Sequence, residues 1–168
     1  MTTSSTTLPT ALAILEGTPV TLRALIAGVP TEMLLHGVED AWSVRDVMAH
    51  LFVSDAIALE RFRRMTDEDG PAIEGFDEEA TLDASPARKY AIHTLLYRVT
   101  FGRFKLTQYL RTLNDEQLQR TGEHSDVGTM RSIELVHHLA YHDLNHVRQI
   151  ATLLGDQLDD ARGPLRAF

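Results

Sequence analysis

The sequence predicts an all-α fold, a four-helix bundle with one long crossover between the second and third helices. Four segments carry apolar residues at the three- and four-residue spacing of an amphipathic helix. No window shows the sustained alternation of β-branched residues that is typical of strands. The connection over residues 66–85 is longer than most connections in compact domains, and a crossover of this length lets two helices of a bundle run parallel.

Capping and turn residues set the boundaries of the predicted helices. Pro19 predicts either a kink in the first helix or a helix that starts at Thr18 with the proline in its first turn. Ser43 and Asp46 have the spacing of a capping box at the start of the second helix. Other boundaries follow from residues that favour helix ends or first turns: Ser85, Pro86, Thr129 and Gly155. The four predicted helices cover residues 12–27, 44–65, 85–113 and 130–154.

The 168 residues fit one domain of ordinary size, in which we expect residues 1–10 to form a frayed polar tail. The start of the chain lacks the basic and apolar regions of a secretory signal, and no apolar run is long enough to span a membrane. The crossover carries a dense set of acidic residues. It is most simply a solvated connection; the alternative is that it borders a cleft, with Phe76 as an apolar contact.

Charge and cysteine content exclude several classes of function. The formal net charge is −8 at pH 7, without any basic run, so we expect neither nucleic acid nor an anionic membrane as a partner. The chain has no cysteine, which excludes disulfides, thiolate metal sites and a protein thiol as nucleophile. Sulfur chemistry would therefore need an external thiol. The composition is compatible with a cytoplasmic protein, and we expect that location.

Histidines are concentrated in the fourth predicted helix, which holds four of the eight within ten residues. His142 and His146 are four residues apart, so both imidazoles lie on one helix face, one turn apart. Neutral imidazole binds Zn, Ni, Fe and Cu, although two histidines at this spacing also occur by chance. The intervening residues lack the glutamate of the zinc-protease helix motif. The pair alone indicates a metal site only weakly.

A third nitrogen donor is available on the second predicted helix. His50 lies on the shoulder of the apolar stripe, where a histidine is more often a hydrogen-bonded residue at the edge of the core. Helical bundles, however, commonly build metal sites from side chains on facing helices. Three protein ligands plus an open position are typical of catalytic rather than structural zinc sites. His50 is therefore a candidate ligand together with His142 and His146.

Two further residues of the fourth helix are candidates for supporting such ligands. Asp143 falls within the apolar arc, where an unpaired carboxylate is costly. Either it meets an arginine or a wet end of the bundle, or it accepts a ring N–H from a ligating histidine and fixes its tautomer. His138, one turn before His142, is either a fourth ligand or a supporting group. Gln149, three residues after His146, is either a further supporting group or, more simply, a helix-surface amide. The other histidines are interpreted as packing, loop or surface residues: His36, His93, His124 and His137.

Three stretches of the chain resemble the DinB-like superfamily, particularly its DinB_2 branch, and more loosely the YfiT-like metal-dependent hydrolases. Their sequences are AWSVRD leading to HL at residues 50–51, PAIEGFD at residues 71–77, and HDLNHVRQI at residues 142–150. Their order and separations are similar to the family's from about residue 12 to residue 154. The last stretch is the most specific of the three.

The resemblance implies an up-up-down-down bundle with a metal triad that maps onto His50, His142 and His146. It also implies a homodimer and a role unrelated to DNA polymerase, which agrees with the acidic charge. We expect a divalent ion, which could be Zn, Ni, Fe or Mn. The resemblance does not identify a general base.

Two enzymatic functions and two non-enzymatic ones remain open at this point. A metal ion with an open position can deprotonate a low-molecular-weight thiol for S-transfer, or lower the pKa of bound water toward about 7 for hydrolysis. We place thiol transfer ahead of hydrolysis, with a small molecule as substrate in either case. The alternatives are a non-catalytic stress-response protein that binds metal or a small ligand, and a metal-free structural dimer.

Overall fold

The computed structural model describes residues 4–37 and 41–167 and is predominantly helical. The helices are α1 (Ser4–Ile26), α2 (Thr31–Leu35), α3 (Val44–Asp67), α4 (Glu78–Ala84), α5 (Ile92–Thr112), α6 (Asp115–Gln119) and α7 (Ser132–Asp159). Short 3-10 turns cover Pro86–Lys89 and Asp160–Ala167. The four long helices α1, α3, α5 and α7 form a bundle, which confirms the predicted class. Within the described residues, no helix combines the length and apolar character needed to cross a membrane.

Two clusters of buried side chains fill the bundle and show the direction of each helix. The first joins the amino-terminal halves of α1 and α7 to the carboxy-terminal halves of α3 and α5, through Leu15, Phe62, Leu106 and Val136. The second joins the opposite halves, through Leu22, Met48, Leu95 and Ile150. Neighbouring α1 and α7 therefore run up, and neighbouring α3 and α5 run down. When the helices are taken in order around the bundle, their directions are up, up, down, down, as predicted. When they are taken in order along the chain, their directions are up, down, down, up, because the crossover joins the parallel helices α3 and α5.

The capping box predicted at the start of α3 is present. Ser43 Oγ accepts a hydrogen bond from the Asp46 backbone N–H at 3.3 Å, and Asp46 Oδ2 accepts one from the Ser43 backbone N–H at 3.0 Å. The box fixes the first turn of the helix, and residues 47–51 then lie buried against the second cluster. This segment holds His50.

Helix α1 is longer than predicted, and Pro19 does not divide it. The helix begins at Ser4, so residues 4–10 are helical rather than a frayed tail, and residues 1–3 lie outside the described part of the chain. Leu8 packs against the first cluster, and the neighbouring Ala11 is buried in it. These apolar contacts with the bundle explain why the start of the chain is helical although its Thr-rich composition predicted a frayed tail.

The other helix boundaries differ because short strands and turns occupy the predicted ends. Ser85 caps a 3-10 turn, and α5 begins only at Ile92. Thr129 lies in a strand, so Arg131 takes the N-cap position of α7 instead. At its other end α7 continues through Gly155 to Asp159.

A three-stranded sheet, which the sequence did not predict, fastens the crossover to the rest of the molecule. Its strands are β1 (Ala72–Ile73), β2 (Thr121–His124) and β3 (Gly128–Arg131), with β1 parallel to β2 and β2 antiparallel to β3. Gly122 permits this pairing, since a Cβ there would lie 2.9 Å from Ile73 Cγ1 and 3.2 Å from the Pro71 carbonyl oxygen. The crossover is therefore an ordered part of the fold.

Candidate metal centre

The side chains of His50 on α3 and of His142 and His146 on α7 converge through their Nε2 atoms. His142 Nε2 lies 3.0 Å from His50 Nε2 and 3.1 Å from His146 Nε2. Nitrogens bonded to one ion at about 2.0–2.1 Å lie about 3.0–3.4 Å apart, so these spacings fit a shared divalent ion. Among the described residues, these form the one group of three or more histidine or acidic side chains whose ligand atoms all lie within 4.8 Å of one another.

Burial keeps two of the three imidazoles neutral. Burial, the larger cause, and the neighbouring His146 together lower the pKa of His50 to about 4. Burial is also the largest cause that lowers the pKa of His142 to about 3, followed by the proximity of His146 and His50. A neutral ring has the free lone pair that a metal ligand needs, so both are in the binding form at neutral pH.

Polar and aromatic neighbours orient the cluster. Gln149 Oε1 lies 2.8 Å from His146 Nδ1, so Nδ1–H donates to the amide oxygen and the Nε2 lone pair is left for the cluster. Trp42 covers the cluster, with its ring centroid 4.8 Å from that of His50 and 6.3 Å from that of His146. Of the two interpretations of Gln149, its contact with His146 favours the supporting group over the surface amide that the sequence made the simpler expectation. Its position three residues after His146 was the available signal for its role.

Asp143 pairs with an arginine, the first of the two alternatives left open by the sequence. Arg103 of α5 donates to both Asp143 oxygens, to Asp55 of α3 and to the Leu15 carbonyl oxygen of α1. Burial lowers the pKa of Arg103, but the two carboxylates outweigh burial and raise the pKa above its usual range. Asp143 thus holds the helix that carries His142 and His146 against its neighbours.

A cleft of about 270 Å³ opens beside the cluster. Its lining includes His142, Ser54 and, from the crossover, Gly75, Phe76 and Glu78. Glu78 Oε1 lies 3.9 Å from His50 Nε2 and Ser54 Oγ lies 3.3 Å from the same nitrogen. This arrangement favours the second interpretation of the crossover, in which it borders a cleft with Phe76 as a contact.

The remaining histidines separate into two groups. His138 lies outside the ligand group, with its ring centroid 6.2 Å from that of His142, and it lines the cleft. His124 lines the same cleft, which corrects its interpretation as a loop or surface residue; the unpredicted β2 strand places it there. His36 and His93 are exposed, as expected. His137 is half-buried, as expected for a packing residue.

The fold and the site define a helical bundle with a three-histidine cluster at a cleft, a donor set suited to a divalent metal ion. The chain belongs to the DinB superfamily, which its residues 14–150 match. It is 28% identical over 156 residues to YfiT of Bacillus subtilis (strain 168), whose name assigns it provisionally to the metal-dependent hydrolases; the match covers 86% of this chain and 84% of YfiT.

A second relative carries the same provisional assignment, and a solved structure supports the fold. The relative, from Bacillus cereus (strain AH820), is 26% identical over 112 residues, which cover 67% of this chain and 64% of its own. The structure of YfiT, described as having an unusual four-helix bundle topology, matches with a TM-score of 0.81 at 24% identity, over 89% of this chain and 87% of that one. The family and the bundle fold predicted from the sequence motifs are thereby confirmed.

Proposed function

We propose that this protein is a metal-dependent hydrolase that acts on a small molecule bound in the cleft, with His50, His142 and His146 as the ligands of one divalent ion. The observation that carries the proposal is the convergence of three Nε2 atoms, spaced at 3.0 and 3.1 Å, beside that cleft. The provisional names of the relatives support hydrolysis as the reaction class.

The side chains around the cluster have different roles in such a site. A divalent ion held by three neutral imidazoles supplies a Lewis acid and lowers the pKa of bound water toward about 7. Gln149 holds the ring of His146 in its orientation, and Trp42 shields the cluster on one side. Glu78 and Ser54 place a carboxylate and a hydroxyl on the cleft side, within hydrogen-bonding reach of groups bound next to His50.

Several finer points remain predictions within this proposal. Three imidazoles suit Zn, Ni or Fe, and Mn is a further candidate, so the donor set does not select one ion. Transfer of a low-molecular-weight thiol would use the same cluster with a thiol in place of water. The homodimer, the cytoplasmic location and the stress-response role are carried forward from the sequence as expectations.

The proposal is tested by purifying the protein without chelator, assigning its metal by mass spectrometry and screening turnover with and without that metal. The screen covers esters, amides and phosphoesters, and thiol conjugation in parallel. We expect hydrolysis that disappears on chelation and returns on addition of the metal. Ligand binding without metal-dependent turnover would favour the non-catalytic alternative, and conjugation without hydrolysis would favour S-transfer.

A further inference from the structure

We propose that Arg61, His124 and His138 form a subsite that binds a carboxylate of the substrate. The substrate would then carry its reacting bond at one end and an anionic group at the other. The assignment of the reacting end rests on the proposed function, whereas the carboxylate subsite rests on the cleft alone.

Two adjoining cavities give the subsite its place. The cleft of about 270 Å³ beside the three histidines shares Arg61, His124, His138 and Leu135 with a second cavity of about 290 Å³. The second cavity extends to Val127 and Met130 on the β2–β3 hairpin. The shared residues therefore lie between the proposed reaction centre and the second, mostly apolar cavity. A substrate that occupies both cavities must contact these residues.

Arg61 is a partly buried cation without a carboxylate partner in contact. Its Nη2 donates to the Glu74 carbonyl oxygen, and its guanidinium lies 5.3 Å from the centroid of the Phe76 ring. Within the described part of the chain, no ion pair at 4.0 Å or less includes Arg61, and burial lowers its pKa against the longer-range influence of Glu60 and Asp126. A guanidinium has five N–H donors in a planar fork that matches a carboxylate. Arg61 is thus positioned for an anionic ligand.

The two histidines add nitrogen donors to the same wall. His124 Nδ1 accepts the Asp126 backbone N–H at 3.2 Å, which places the proton of the neutral ring on Nε2 and makes that atom a donor. His138 lies one turn before His142 on α7 and lines both cavities. The subsite gives His138 a role in substrate binding in place of the fourth ligand considered from the sequence.

Contacts between the crossover and the hairpin turn hold the subsite in shape. The Gly75 backbone N–H donates to Ser125 Oγ at 2.9 Å, and a Cβ at Gly75 would collide with the Asp126 carboxylate. Three carboxylates line the two cavities: Glu78, Asp126 and Glu134 are 53%, 70% and 49% exposed, and Glu134 is paired with Arg131, so solvent and that pairing weaken their repulsion of an anion. The half-buried guanidinium of Arg61 is screened less.

The spacing along α3 sets the length of ligand that could span both sites. Arg61 follows His50 by eleven residues, or about three turns and about 16 Å between Cα atoms, on the same helix face. The long arginine side chain shortens the gap that a ligand must bridge. Linear dicarboxylates of increasing length, from succinate to sebacate, therefore serve as probes of the distance.

The test measures calorimetric dissociation constants of these dicarboxylates and of monocarboxylates of equal length, such as suberate against octanoate, with metal-loaded protein. We expect at least one dicarboxylate to bind about 10- to 100-fold more tightly than its monocarboxylate, the range for one additional charge-assisted hydrogen-bonded pair. Arg61→Met should remove this preference and Arg61→Lys should retain part of it. Arg63→Met is the matched control, because Arg63 is on the same helix but packs over Tyr109 outside the cleft.

The outcomes separate this inference from the proposed function. If no dicarboxylate is preferred, or if the preference survives in Arg61→Met with an unchanged helical circular dichroism spectrum, the subsite is wrong, whether or not a metal is bound. A second series with chelated protein should show weaker carboxylate binding that still depends on Arg61. Arg61-dependent binding in a protein that takes up no metal would keep the subsite and overturn the hydrolase proposal.

Discussion

At the scale of residues, the site depends on imidazoles that stay neutral in a partly buried setting. Burial lowers the pKa of His50 to about 4 and that of His142 to about 3, while histidines in an unfolded chain titrate near 6.5. In the absence of metal these two imidazoles therefore bind fewer protons in the folded protein than in the unfolded chain between pH 6.5 and 4. Their contribution to stability must rise with pH in that window and fall as acid is added, whereas Asp55, whose pKa burial raises to about 6, acts in the opposite direction.

A prediction follows for the metal-free protein. Its free energy of unfolding should decrease between pH 7 and pH 5, and His50→Gln should make that decrease smaller by about 1–2 kcal/mol, since the variant has no ring to protonate in the unfolded state. Urea denaturation of the chelated proteins at both pH values measures the difference. His93→Gln serves as control, because His93 is exposed. An equal pH dependence in His50→Gln and the unsubstituted protein would contradict this account.

The three candidate ligands could be found from the sequence because helical periodicity fixes which residues share a face. The spacing of His142 and His146 places them on one face but indicates a metal site only weakly, and the set of three with His50 followed from the family resemblance. Gln149 and Glu78 could not be assigned in the same way. An amide at a helix surface has many possible partners, and Glu78 reaches the cluster only because the crossover folds back over it.

At the scale of secondary structure, one arginine connects all four long helices. Arg103 of α5 is 2% exposed and binds Asp55 of α3, Asp143 of α7 and the Leu15 carbonyl of α1. Two carboxylates and one guanidinium have been removed from water at this point, so the group is stable only while all its hydrogen bonds are made. It fixes the position of α7 next to α3, and hence that of His142 relative to His50.

Replacing Arg103 should therefore destabilise the folded protein strongly. We expect Arg103→Met to lower the free energy of unfolding by about 3–5 kcal/mol, because it leaves two buried carboxylates unpaired. Arg111→Met is the control, since Arg111 makes an exposed ion pair with Glu16 that contributes about 0–1 kcal/mol. Denaturant titration measures both. A loss in Arg103→Met no larger than in the control would show that the buried group does not tie the helices together.

Boundaries of helices were less predictable than their existence. The apolar stripes and the capping box at Ser43 predicted α3 well, since both are local signals. The start of α7 at Ser132 depends on the hairpin before it, and the hairpin depends on pairing with β1 across the crossover. Long-range pairing between such short strands leaves almost no periodic signal in the sequence.

At the scale of the whole molecule, the crossover forms one wall of the cleft. Because it connects two parallel helices, it must travel the length of the bundle, and its residues 75, 76 and 78 form a wall beside the histidine cluster. Its pairing with β2 and the contact of Gly75 with Ser125 hold that wall against the hairpin. We therefore expect the order of the crossover to depend on what is bound in the cleft.

Limited proteolysis tests this coupling. Metal binding should slow cleavage within residues 66–77, because Glu78, directly after this segment, lies with Oε1 3.9 Å from His50 Nε2 and a bound ion would attract its carboxylate. Cleavage in the exposed 3-10 turn at Asp160–Ala167, remote in sequence from the cluster, provides the internal control. Identical cleavage of the crossover with and without metal would show that the wall is independent of the site.

The most direct measurement of the central claim is the metal content of the protein and of single histidine variants after dialysis against a limiting metal buffer. We predict one equivalent per chain in the unsubstituted protein and in His93→Ala. His142→Ala and His146→Ala should take up far less than one equivalent while keeping their helical circular dichroism, since the core clusters are untouched. A full equivalent of metal retained by either variant would contradict the three-histidine assignment.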